Sequence, residues 1–181
     1  MAGLALGALT SAPLAASDWF QHPFGELRAF HQDWLVVCAE KGRGACRAVR
    51  AQAAPGSDAF FDQRVSLKRG DTGWHIELMQ RDMPERDLER VTFRFAREEI
   101  ALQAGAWVPG ERAVRNVAET ITLTEGANVD AIIDAMRAGR FLEIGYEARS
   151  GAARWEARAR VPLRGLSAAM AAIETHLEAR P

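Results

Sequence analysis

The cysteine pair constrains this chain more than any other feature. Cys38 and Cys46 are its only cysteines, and they sit at the two ends of a turn inside Trp34 to Arg50, a stretch that reads as a β-hairpin. Trp34, Val36 and Cys38 alternate with Leu35 and Val37, a β-branched and aromatic run that suits a strand buried on both faces. A polar loop follows from Ala39 to Ala45, in which Gly42 and Gly44 can take positive φ. The chain returns through Cys46, Ala48 and Arg50. If Cys38 faces Cys46, then Val36 faces Ala48 and Trp34 faces Arg50. Opposed cysteines on neighbouring strands reach disulfide geometry only at certain pairs. Two readings therefore stand. One is a staple across the hairpin, worth about 2–3 kcal/mol in the chain-entropy model. The other is two buried thiols packing as small hydrophobes.

The N-terminus favours the staple. Residues 1–17 carry no charge and run Leu4, Leu6, Leu9 and Leu14 among Ala, Gly, Thr and Ser. They resemble the apolar region of a secretory signal peptide ending in Ala15-Ala16-Ser17, without the basic segment that normally precedes it. Gly7, Pro13 and the short length argue against a membrane anchor; an ordinary disordered or helical terminus is the alternative. The expected organisation is a signal-peptide remnant over 1–17 and a single β-rich domain over 18–181, in a periplasmic or secreted, disulfide-permissive setting. With 23 basic and 24 acidic residues, the formal charge is −1. No global field draws such a chain to nucleic acid or to an anionic membrane.

Along the chain, Trp19, Phe20 and Phe24 read as an aromatic cap over the core, and Glu26 to His31 as the start of the first strand. Val65 and Leu67, then Trp74, Ile76 and Leu78, alternate with polar residues and predict two strands joined by Arg69 to Gly73. That connection holds Arg69-Gly70-Asp71, which resembles an integrin-binding loop; as a turn built on Gly and Asp chemistry it needs no such role. Leu88 to Phe95 predicts a strand with Val91, Phe93 and Phe95 inward. Ile100 with Leu102, and Glu119 to Thr124, read as further strands. Val129, Ile132, Ile133 and Met136 follow helical spacing, with Asn128 as N-cap and Gly139 beyond the end. Phe141 to Glu147 and Ala153 to Val161 alternate as a hairpin about Ser150-Gly151. The register expected there pairs Tyr146 with Trp155, Ile144 with Ala157 and Leu142 with Ala159, and sets Glu147 against Arg154 and Glu143 against Arg158. Leu166, Ala169, Met170, Ile173 and Leu177 mark a second amphipathic helix. The fold class expected is mainly β, an antiparallel sandwich or curved sheet, with two C-terminal amphipathic helices: α+β.

No catalytic pattern emerges. Two cysteines and His22, His31, His75 and His176 provide no zinc spacing. Gly42-Arg43-Gly44 lacks the Lys-Ser/Thr of a phosphate loop, and Gly165-Leu166-Ser167-Ala168-Ala169 lacks the second glycine of a nucleophile elbow. His31 and Asp33, two apart on a strand, share a face and could make an acid–base pair, with no nucleophile beside them. No catalytic, cofactor-binding or metal residue is expected.

Trp34 and Cys38 followed by Cys46, then Gly139 to Ile144 and Pro162 to Ala169 far downstream, resemble the invasion-associated locus B family of exported α-proteobacterial proteins. The family has an early W-x-V-x-C…C hairpin. It ends in an amphipathic helix, a G-x-x-L-x-V strand, and a segment leading into the last helix. The middle of this chain departs: it has no second cysteine pair and no glycine-centred strand pattern. The resemblance implies a non-enzymatic protein of the Gram-negative periplasm or surface, acting through protein contacts in host interaction or envelope maintenance. It brings no catalytic or binding residues and names neither the partner nor the oligomeric state. A periplasmic small-ligand binding module, marked by a deep apolar pocket with convergent polar groups, is the first alternative. An envelope hydrolase with His31 or His75 in a cleft is the second. No cofactor, nucleic-acid partner or stable membrane span is expected.

Overall fold

The computed structural model describes residues 18–53, 56–58, 61–110, 119–124, 126–150 and 153–180. The expected signal segment, 1–17, lies outside them. Among the described residues, twelve strands form two antiparallel sheets. The first sheet takes β1 (Phe20–Gln21), β2 (Leu27–His31), β3 (Trp34–Cys38), β4 (Cys46–Gln52), β5 (Gln63–Arg69) and β6 (Trp74–Gln80) in chain order. Its far side is completed by β10 (Glu119–Leu123) and β9 (Val108–Pro109). The second sheet has the order β12 (Ala153–Pro162), β11 (Phe141–Ser150), β7 (Leu88–Arg94), β8 (Glu99–Gln103). Helix α1 (Ala127–Ala138) lies against β6, and α2 (Leu166–Glu178) against β2, β3 and β4. The mainly β, α+β expectation holds. Among the described residues no helix is long and apolar enough to cross a membrane.

Alternation builds the core. Trp34, Val36, Ala48, Val65, Leu67, Ile76, Leu78, Ile121 and Leu123 face inward from the first sheet, and Val91, Phe93, Leu142, Ile144, Tyr146 and Val161 from the second. The stripes Ile132–Met136 and Leu166–Met170–Ile173 close the same cluster from the helices. Each Val, Leu, Ile, Phe or Met among them contributes about 1.5–3 kcal/mol by leaving water. The Trp34 indole Nε1 donates to the Pro162 carbonyl at 3.1 Å, fixing the front hairpin to the last strand.

The β3–β4 register is the expected one, with Cys38 opposite Cys46 and Val36 opposite Ala48. The β11–β12 register is not. Tyr146 pairs with Ala157, Ile144 with Ala159 and Leu142 with Val161, two residues from expectation. A two-residue shift keeps every side chain on its face, so alternation cannot detect it. The turn sets it: Ser150 pairs with Ala153. The expected ion pairs survive as diagonals, Arg158 meeting Glu143 at 3.4 Å and Arg154 bridging Glu147 and the directly opposed Glu156. Helix α1 starts from Gly126 and not from an Asn128 cap. Trp19 packs on the core, whereas Phe20 and Phe24 face solvent at 38% and 82% exposure.

Candidate functional site

The disulfide forms: Cys38 and Cys46 are joined across the hairpin, with a Cα–Cα distance of 4.1 Å. Both residues are buried, at 0% and 2% exposure. The loop between them is held from two directions. Lys41 N–H donates to the Gly25 carbonyl at 2.7 Å, and Gly44 N–H to Ala39 at 3.0 Å. From the far end of the chain, the last turn of α2 and the residues after it close over the loop. The His176 Nε2 lies 2.7 Å from the Gly42 carbonyl oxygen. One Arg180 Nη2 donates to the carbonyls of Gly42 and Gly44, each at 2.7 Å, and sits 3.2 Å from the Cys46 sulfur. The Trp19 ring packs on His176 at 5.1 Å. Gly42 is required here on two counts: its φ is +94°, and a Cβ would lie 2.8 Å from Leu27 Cδ2 and 3.2 Å from the His176 ring.

Sequence spacing did not foresee this clasp. Cys38, Cys46 and His176 bring two sulfurs and a nitrogen within 4.8 Å of one another, although they are far apart in the chain. The signal was available in α2: Ile173, His176 and Arg180 continue its i, i+3, i+7 face past the apolar stripe. Chemically the sulfurs are bonded to each other, so neither is the thiolate that binds metal or attacks as a nucleophile. Attack by an outside thiol is hindered, because exchange needs access to a sulfur. The assembly works as a staple, sealed by a cation and an imidazole.

The other sequence candidates separate. His31 closes β2 and Asp33 falls in the tight turn before β3, so they are not on one strand face. Asp33 instead takes a bidentate pair from Arg164, Nε to Oδ2 at 3.0 Å and Nη2 to Oδ1 at 3.2 Å. The Arg164 hydrogen bond holds the Asp33 carboxyl below its ordinary value, and burial does the same for the His31 imidazole. Next to Arg164, Gly165 has φ +89°, and a Cβ there would sit 2.0 Å from the His31 carbonyl oxygen. The Pro162-to-Ala169 segment therefore lies directly on the β2–β3 turn. A depressed carboxyl stabilises the fold above its unfolded titration and loses that contribution as pH falls through the folded one. Arg164→Met should accordingly lower the urea midpoint at neutral pH, and by less at an acid pH where Asp33 takes up its proton. Equal effects at the two pH values would refute the pair.

Arg69-Gly70-Asp71 occupies the β5–β6 turn, closed by Gly70 N–H to the Gly73 carbonyl at 2.9 Å. The Arg69 guanidinium lies 5.8 Å over the Trp74 ring while Asp71 is exposed, so the triplet behaves as a turn with its arginine packed back on the sheet.

No protein-family model matches this sequence, and no curated protein matches it either. In three dimensions the chain is similar to invasion associated protein B from Bartonella henselae, with a TM-score of 0.62 over 83% of this chain and 98% of that one, at 13% identity. At that identity the likeness is one of fold: this chain has, at a distance, the fold of invasion associated protein B.

Proposed function

We propose that this chain is an exported, disulfide-stapled envelope protein of the invasion-associated locus B type, acting through protein contacts without a catalytic step of its own. The observation that carries the reading is the fold likeness over nearly the whole length of invasion associated protein B. The buried Cys38–Cys46 bond supports it, because such bonds persist outside the cytosol. The aromatic edge supports the mode of action. Phe30 is 61% exposed and stacks on Phe20 at 5.8 Å, with Phe24 nearby in sequence and also exposed. Exposed aromatics of this kind are over-represented in contact surfaces between proteins.

Intact-mass measurement of the protein from cell envelopes, with and without reductant, tests export and thiol state together. The expected result is a chain cleaved close to Ala16-Ser17 that gains one hydrogen per sulfur on reduction. A full-length, already reduced protein in the cytosol would sink the proposal.

A further inference from the structure

A crevice opens where the core-facing side of β4, β5 and β6 runs out beside the edge strand β12. Its volume is about 610 Å³, and its lining includes Arg50, Gln52, Asp62, Gln63, Gln80 and Arg160. Strand register explains why it is polar. Gln52 pairs with Gln63, and Gln63 with Gln80, so a row of amides crosses neighbouring strands at one level. One inward step along, the same face carries Arg50, Val65 and Leu78; one further, it carries Ala48, Leu67 and Ile76. The apolar pattern of these strands breaks at one end, on all of them together. A local rule broken in concert, with no gain to the core, is a mark of a functional site.

Two of the three amide oxygens are left over by the described residues. Gln63 is only 8% exposed. Its Oε1, the Gln80 Oε1 and the Arg50 Nε are all buried without a hydrogen-bond partner among the described residues. Polar atoms left like this are rare in native interiors and unfavourable unless something else satisfies them. Gln52 is engaged, its Nε2 donating to the Arg160 carbonyl at 2.6 Å.

Charge narrows the ligand. The carboxylates at the crevice are already neutralised: Asp62 by Arg81 at 2.5 Å, and Glu143 by Arg94 at 3.0 Å and Arg158 at 3.4 Å. Arg50 and Arg160 form no ion pair among the described residues; Arg50 Nη1 donates to the Asp33 carbonyl at 3.3 Å, with the Asp33 carboxylate within its field, and Arg160 lies over the Phe141 ring at 4.3 Å. The crevice thus offers surplus positive charge together with unfilled carbonyl acceptors.

We infer that it binds a small hydroxylated carboxylate of the sugar-acid type. The carboxylate goes toward Arg50 and Arg160, and hydroxyls donate to Gln63 Oε1 and Gln80 Oε1. An ammonium group suits it less, because no free negative charge remains to receive one. The inference stands on the crevice alone and is independent of export or protein contacts.

Calorimetric titration of the full chain with glucuronate tests it, with glucose and acetate each supplying one half of the chemistry. Glucuronate is expected to saturate, and glucose and acetate to bind at least about tenfold more weakly. Gln63→Leu removes an unpaired buried amide, so it should fold at least as stably as the parent and bind glucuronate at least about tenfold more weakly. Gln80→Leu provides the same reading should the first variant fail to fold. Absence of saturation, as for a crevice satisfied by water, would overturn the assignment. So would glucose binding as tightly as glucuronate, or an unchanged affinity in the folded variant.

Discussion

Truncation of Trp34 to alanine should destabilise the protein by about 3–5 kcal/mol, the range for a large aromatic lost from a packed core. Trp34 is 0% exposed and among the largest fully buried side chains. Its removal leaves a void between the first sheet and β12, and strips the Pro162 carbonyl of its indole donor. Those two effects can be separated. Trp34→Phe keeps most of the volume and loses the hydrogen bond to a half-buried acceptor, so it should cost about 1–2 kcal/mol, a lost hydrogen bond plus a small packing defect. Urea unfolding of the parent and both variants measures each quantity. A loss under about 1 kcal/mol for the alanine variant would mean that this side chain does not join the layers.

The second large effect concerns the staple. The disulfide closes a loop with a sequence separation of 8. Removing it as Cys38→Ala with Cys46→Ala should cost about 2–3 kcal/mol in the chain-entropy model, because the unfolded chain regains the freedom that the bond denies it. For a domain of this size the melting temperature should fall by roughly 5–10 °C. The fold itself should persist at room temperature, since His176 and Arg180 still hold the Gly42 and Gly44 carbonyls. Melting with and without reductant gives the same comparison in the parent chain. Identical curves would show that the hairpin draws nothing from its sulfur bridge.

Which parts of this were legible in the sequence follows from the range of the signals. Alternation at Trp34–Val36–Cys38 against Cys46–Ala48 gave the faces, and the register followed on the condition that the two cysteines face each other, which they do. At β11–β12 the same signal fixed the faces alone. Its period is 2, so a slip by 2 costs no burial, and the choice fell to a turn whose chemistry was misread by one residue. Helical spacing located α1 and α2 and missed only the cap of α1. The clasp on the disulfide was legible only in part: the spacing puts Ile173, His176 and Arg180 on one helical face, but nothing local connects that face with a loop near residue 42. The amide row was hidden for another reason. Each glutamine reads as an ordinary polar strand end, and only the pairing of β4, β5 and β6 shows that Gln52, Gln63 and Gln80 share one level.

The contact of Trp34 with Pro162, and of the Gly42 loop with Arg180, joins segments 128 and 138 residues apart. A nascent polypeptide cannot make the first contact before Pro162 has been synthesised, nor the second before Arg180. The first sheet must wait with its apolar side uncovered, and such long-range closure makes for slow, late-committing folding.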